Sequence, residues 1–287
     1  MKNSYLPVVA LFLLILGCNK KEPIPAYLSI QSIEVQGYMD QKITDAWVYA
    51  DGQFLGAFPL PAEIPILAEG NVTISVFPGV KEDGDYQTPA IYPLLTKYEL
   101  EVPLQASKTT AIQPVVKYET DVTTVFVDDF ETNSSRWFIE PKDGDSTTNL
   151  VVQASDVYKG LSSGKLTLDT AHQNFEVYSI QTNKDQLPTS GGRPCWLEIS
   201  YKTDFPFYIG LAGADPGQAD QVSYFQTISP KPVWSKMYIN LTQALAVSDF
   251  PLYKVAIAAR LPLDGNGNPT MISGSMYLDN VRLVFLK

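Results

Sequence analysis

Apolar and aromatic residues recur along this chain in runs of five to ten, broken by clusters of Gly, Pro, Asp and Asn. Within the runs the period is two, which places alternate side chains on opposite faces of a strand. Trp47-Val48-Tyr49 reads as a strand, Asp51-Gly52 as a tight turn, and Gln53-Phe54-Leu55 as the returning strand. "NVTISVF" (71–77) alternates in the same way. Beyond residue 121 the pattern predicts strands near 122–131, 163–169, 175–181, 195–202, 206–212, 222–228, 235–241, 252–261 and 274–286. The one helix candidate is "NLTQALAVSDF" (240–250), one or two turns long. So many short strands with so little helical periodicity predict an all-β protein in two blocks, 27–118 and 121–287, the second a β-sandwich or barrel.

The first seventeen residues break the pattern. Lys2 gives a small positive start, and Leu6 to Leu16 is apolar apart from Pro7. Eleven residues are too few to span a bilayer as a helix but suit the core of a secretory signal. The run closes on Ile15-Leu16-Gly17-Cys18, which resembles the lipobox of bacterial lipoproteins. That resemblance implies a lipoprotein signal peptide over 1–17 and an N-terminal lipid (palmitate among its acyl chains) on Cys18, followed by a polar tether over 18–26. Asn19 stands where an inner-membrane retention signal would carry Asp. The implied location is therefore the outer membrane of a Gram-negative envelope, with the cell surface favoured over the inner leaflet.

Removing Lys2 with the signal leaves 20 basic against 31 acidic side chains, a net charge of −11. Such a chain repels phosphate backbones, which argues against nucleic-acid binding. With Cys18 lipidated, Cys195 is the only thiol left and has no disulfide partner. His172 is the only histidine; it lies in the polar loop "DTAHQNF", and no catalytic or phosphate-binding motif accompanies it. The expectation is a non-enzyme.

Two family resemblances follow from particular residues. "DAWVYADGQFLGAFPLPAEIPILAEGNVTISVFPG" resembles the PEGA-type β-sandwich repeat, with its D-G turn, "LG" and Pro-containing segment. Its departure is the longer "KEDGDYQTPAIYPLLTKY" (81–98). In the second block, "DDFE" at the opening, "YKGLSSGKLTLD" next and "GSMYLDNVRLVFL" at the close together resemble the calcium-containing, galactose-binding-like jelly rolls of carbohydrate-binding modules. The two resemblances imply a small Ig-like β-sandwich over 27–118 and a larger β jelly-roll sandwich over 121–287.

In "VFVDDFE" (125–131) the period of two sets Asp129 and Glu131 on one face and Asp128 beside Phe126 and Phe130 on the other, at a solvated strand entry. Asp279 falls in the row Tyr277, Val281, Leu283, Phe285, which should face the core. A lone carboxylate there needs a proton, a basic side chain such as Lys159 or Arg282, or a hard cation. The jelly-roll resemblance implies the last: a structural Ca2+ held by Asp129, Glu131, carbonyls near Lys159 and Gly160, and Asp279. Alternation also gives several strands a small or polar second face. Trp196, Tyr208, Lys254 and Arg260, joined by Tyr224 and Gln226, would then line a shallow trough suited to a polysaccharide. Trp137 and Trp234 read as packing residues. The functional expectation is a lipid-anchored, non-catalytic envelope protein that binds a saccharide. A structural or assembly lipoprotein with an envelope protein partner is the alternative, and a glycoside hydrolase the remote third.

Overall fold

The structure is a computed structural model that describes residues 23–37, 40–84, 88–131 and 135–287. Cys18 and the signal segment lie outside the described residues. The first unit contains strands β1 (Ala26–Ile30), β2 (Glu34–Val35), β3 (Asp45–Ala50), β4 (Gln53–Pro59), β5 (Ala62–Ile66), β6 (Gly70–Lys81), β7 (Pro89–Ile91), β8 (Tyr98–Leu104), β9 (Thr109–Ile112) and β10 (Val115–Val116). The second contains β11 (Val122–Asp128), β12 (Phe138–Pro141), β13 (Val151–Gln153), β14 (Ser163–Asp169), β15 (Asn174–Ser179), β16 (Thr182–Asn183), β17 (Cys195–Thr203), β18 (Phe207–Ala214), β19 (Gln221–Ile228), β20 (Lys231–Asn240), α1 (Thr242–Val247), β21 (Leu252–Arg260) and β22 (Ser273–Leu286).

The protein is all-β apart from short helical turns, as the alternation predicts. In the first unit a five-stranded sheet, β4-β3-β6-β7 with β8 also on β6, faces the three-stranded sheet β5-β1-β9. The β3–β4 hairpin turns on Asp51 (φ 47°) and Gly52 (φ 79°), the left-handed pair that a tight hairpin turn requires.

The second unit is a sandwich of two six-stranded sheets. Sheet I has the order β13-β14-β22-β17-β20, with β11 also on β22; sheet II has β12-β15-β21-β18-β19, with β16 on β21. Leu197, Ile199, Leu283 and Phe285 of sheet I pack against Phe207, Ile209, Val255 and Ile257 of sheet II to form the core. All nine strands read from the sequence in this unit are present. The short strands β12, β13 and β16 were missed because two to four residues carry too little periodicity.

The outer face of sheet I is where the two units meet. Trp196, Tyr238 and Val284 join the apolar core of the first unit, and the chain pairs across the junction at Glu82 and Tyr238. Sheet II has its outer face directed away from this junction.

Candidate functional site

The outer face of sheet II is built by alternation in β21 and β18. Val255, Ile257 and Ala259 point into the core, leaving Lys254, Ala256, Ala258 and Arg260 outside. In register beside them lie Ala212, Gly210 and Tyr208 of β18, and Tyr178 and Glu176 of β15. The floor is thus Ala and Gly. Gly210 is required: a Cβ there would meet the Ser223 carbonyl at 2.5 Å and the Tyr224 ring at 2.9 Å.

One half of this face is internally committed. Tyr224 donates its hydroxyl to Glu176 (2.6 Å), as Tyr178 does (3.0 Å). Burial raises both phenols above their ordinary pKa, and the neighbouring carboxylate adds to the effect. Lys254 bonds Glu140 (2.9 Å) and Asp220 (3.1 Å), and Lys142 also bonds Asp220 (3.1 Å). Burial would raise the Asp220 carboxyl; the two lysines outweigh it and hold it low.

The other half is uncommitted. Tyr208 is half-buried beside Ala258, and among the described residues its hydroxyl makes no side-chain hydrogen bond and its ring pairs with no other aromatic ring. Arg260 is exposed at the end of β21 and forms no ion pair among the described residues. The structure therefore brings Tyr208, Tyr224, Lys254 and Arg260 onto one face, with Glu176 and Tyr178 as neighbours that alternation alone did not single out.

Two expected members are elsewhere. Trp196 is on sheet I, 3% exposed, with its ring edge-on to Tyr92 (5.3 Å, 85°) at the junction between units. Phase alone cannot say which sheet a strand joins, so β17 was grouped with strands it does not pair with. Gln226 is separated from Tyr224 by an irregularity in the β18–β19 ladder, where Ile209 pairs Gln226 but Gly210 pairs Tyr224. Its amide donates to the Asp83 carbonyl of the first unit (3.0 Å).

The acidic stretch at the end of β11 also departs from expectation. Asp128 is fully buried, not solvated. It accepts from Arg136 (2.8 Å) and from the backbone N–H groups of Trp137 (2.8 Å) and Phe138 (3.1 Å), fixing the chain entering β12. Asp279 does not sit in the core row. β22 changes phase at Asp279–Asn280, where Asn280 is left-handed (φ 48°), so Met276 and Leu278 face the core before it and Val281 and Leu283 after it. Asp279 lies on the outer face opposite Ser200, beneath the 158–162 loop. Its Oδ2 accepts from the N–H groups of Tyr158 (3.2 Å) and Lys159 (3.1 Å), while its Oδ1 is buried with no hydrogen-bond partner. Burial pushes this carboxyl up to about 7, against the three backbone N–H groups that lower it.

Glu131 binds the same loop, accepting from Leu161 (2.6 Å) and Ser162 (3.1 Å). Gly160 (φ +86°) lets it approach, since a Cβ there would stand 2.2 Å from Oε1. Asp129 caps the Glu131 N–H (3.1 Å). Among the described residues no three acidic, His or Cys side chains gather as a metal-binding group, so Asp129, Glu131 and Asp279 do not form the expected three-carboxylate set. The loop turns N–H donors toward two of them, where carbonyls were expected.

The His172 Nδ1 contacts both Asp145 (2.6 Å) and Thr147 (2.8 Å). A Ser-His-Asp relay uses the two ring nitrogens separately, so this arrangement is a loop clasp rather than a triad. Cys195 is fully buried, and burial pushes its thiol up to about 12.

No family profile and no curated protein matches the chain. Among solved structures it is similar to the C-terminal family 22 carbohydrate-binding module of a Clostridium thermocellum enzyme, at 14% identity over 58% of this chain and 97% of that one (TM-score 0.37). A family 30 carbohydrate-binding module aligns at 13% identity over 59% and 90% (TM-score 0.42). A family 61 module solved with β-1,4-galactotriose aligns at 11% over 56% and 99% (TM-score 0.32).

Proposed function

We propose that this chain is a lipid-anchored, non-catalytic envelope protein that binds a saccharide on the outer face of sheet II. The observation that carries the reading is the uncommitted Tyr208–Arg260 half of that face. A flat phenol over an Ala/Gly floor offers the apolar face of a sugar ring a stacking surface, and the flanking guanidinium can bond its hydroxyls. Screening the full-length chain against neutral polysaccharides is the test. Binding should occur and weaken about tenfold or more in Tyr208→Ala, in line with ~1–3 kcal/mol for a lost stacking contact. Silence across the panel overturns the reading.

Lipid anchoring through Cys18 rests on the lipobox resemblance, and the outer membrane on Asn19; of the two leaflets, the cell-surface one is the face the reading favours. Labelling cells with an alkynyl palmitate analogue should tag the wild type but not Cys18→Ala. Surface protease should reach the protein if it faces outward.

A structural Ca2+ at the 158–162 loop is supported by one atom, the buried Oδ1 of Asp279, which has no donor. Glu131 accepts from the same loop, and two carboxylates completed by water are within the ligand range of calcium. A protein partner is favoured by a different feature. The edge strand β19 exposes Val222 (39%) and Phe225 (41%) beside an apolar cleft of about 360 Å³ against α1. Stoichiometric co-purification that Phe225→Asp abolishes would establish it.

A further inference from the structure

A second cleft, of about 460 Å³, opens at the opposite end of the sandwich from Arg260. It lies at the seam between the two sheets, walled on one side by Thr123 and Val125 of β11 and on the other by the β15–β16 connection and the loop after it. Trp137 lines it. This indole is fixed by its own backbone, whose N–H donates to the buried Asp128 (2.8 Å) and whose carbonyl accepts from Ile180 (2.8 Å). Its ring is stacked on Phe126 (4.9 Å, 21°), so its plane is set by the core.

Four polar groups of this cleft are unspent, whereas Gln186 accepts from the Asn183 N–H (3.2 Å). Arg193 is exposed and forms no ion pair among the described residues. The Trp137 indole N–H, the Gln181 amide and the Asp185 carboxylate likewise make no side-chain hydrogen bond to another described residue. Arg193 is presented by Gly191 (φ 78°) and Gly192 (φ 63°), a left-handed pair that ends against Pro194 and the rigid start of β17. A cation placed on a short tether beside an aromatic plane, with Lys287 as a second basic residue lining the cleft, is a specific local feature in a chain of net charge −10.

We propose that this cleft binds an acidic sugar, a hexuronate unit of a polysaccharide. The apolar ring face lies on Trp137, and the carboxylate takes the two-pronged guanidinium of Arg193. The hydroxyls are bonded by Asp185 and Gln181. The site is separate from the Tyr208 face and does not rest on it.

The test is calorimetric titration of the full-length chain with tetragalacturonate, a glucuronate disaccharide and a neutral galactose tetrasaccharide. At least one acidic probe should bind wild type with a millimolar or tighter Kd. Arg193→Gln should weaken it about tenfold or more, the loss expected for one charge-assisted contact. Arg193 is exposed, so the variant should keep the wild-type melting temperature. Tyr208→Ala should leave acidic-probe binding unchanged, and Arg193→Gln should leave any neutral-probe binding unchanged. Wild type silent to both acidic probes, or acidic binding indifferent to Arg193→Gln or lost in Tyr208→Ala, overturns the proposal.

Discussion

Replacing Glu198 by Gln should destabilise the protein by about 3 kcal/mol and weaken the bond between its two units. Glu198 is fully buried where sheet I meets the first unit. Its Oε1 accepts from Tyr92 (2.6 Å) and Tyr118 (2.5 Å), and its Oε2 from Gln41 (3.0 Å) and Arg282 (2.8 Å), with Lys236 at 3.5 Å. Asp40 is the second carboxylate, bonding Lys236 (2.8 Å) and Arg282 (3.0 Å). Burial alone would raise the Glu198 carboxyl; the Lys236 and Arg282 charges outweigh it and hold it at about 2, against an ordinary 4.5. That depression corresponds to about 3 kcal/mol favouring the charged form. It agrees with the ~3–5 kcal/mol typical of removing one partner from a buried ion pair. Gln has nearly the same shape but turns an NH2 toward either two hydroxyl donors or two cations, leaving Asp40 alone against both.

The assay is urea unfolding of both proteins at pH 7 and pH 3. A depressed carboxyl contributes above its unfolded value and loses that contribution as pH falls from about 4.5 toward 2. The difference between wild type and variant should therefore be about 3 kcal/mol at pH 7 and about half of that or less at pH 3, where the folded carboxyl is still largely charged. In thermal melts the pH 7 difference should be about 6–12 °C. The variant should also split one transition into two, because the junction carries the coupling. A loss below about 1 kcal/mol at pH 7, or one independent of pH, would refute the reasoning.

Asp279 carries the opposite sign. Its folded value of about 7 lies above the ordinary 3.8, so in EDTA its contribution is greatest at low pH and is lost as pH rises through 4 to 7. If Ca2+ binds, adding it at pH 8 should raise the melting temperature by about 5–10 °C, and Asp279→Asn should abolish the response. Equal melting temperatures in calcium and EDTA at pH 8 would remove the metal from the account. Cys195 should resist iodoacetamide in the native protein at pH 8 and react once unfolded in urea, since its buried thiol stays protonated; rapid native labelling would contradict its burial.

Alternation and turn chemistry determined the all-β class, the Asp51-Gly52 hairpin and nine strands of the second sandwich, because these depend on neighbours two to four residues apart. They also set Lys254 and Arg260 on one outer face, and Tyr208 on the outer side of its own strand. What alternation could not see was which strands share a sheet. That put Trp196 at the junction between units, while a slip in the β18–β19 ladder sent Gln226 toward the first unit. The phase change at Asn280 is likewise invisible to a strict period of two, and it moved Asp279 from the core row to the loop. Asp128 became a buried anchor because Arg136 and two backbone N–H groups fold back onto it. Only the tertiary structure decided that Glu198, outward on its strand, is sealed from water by the other half of the chain. Strand phase is a local property, whereas burial of an outer face depends on what long-range packing lays over it.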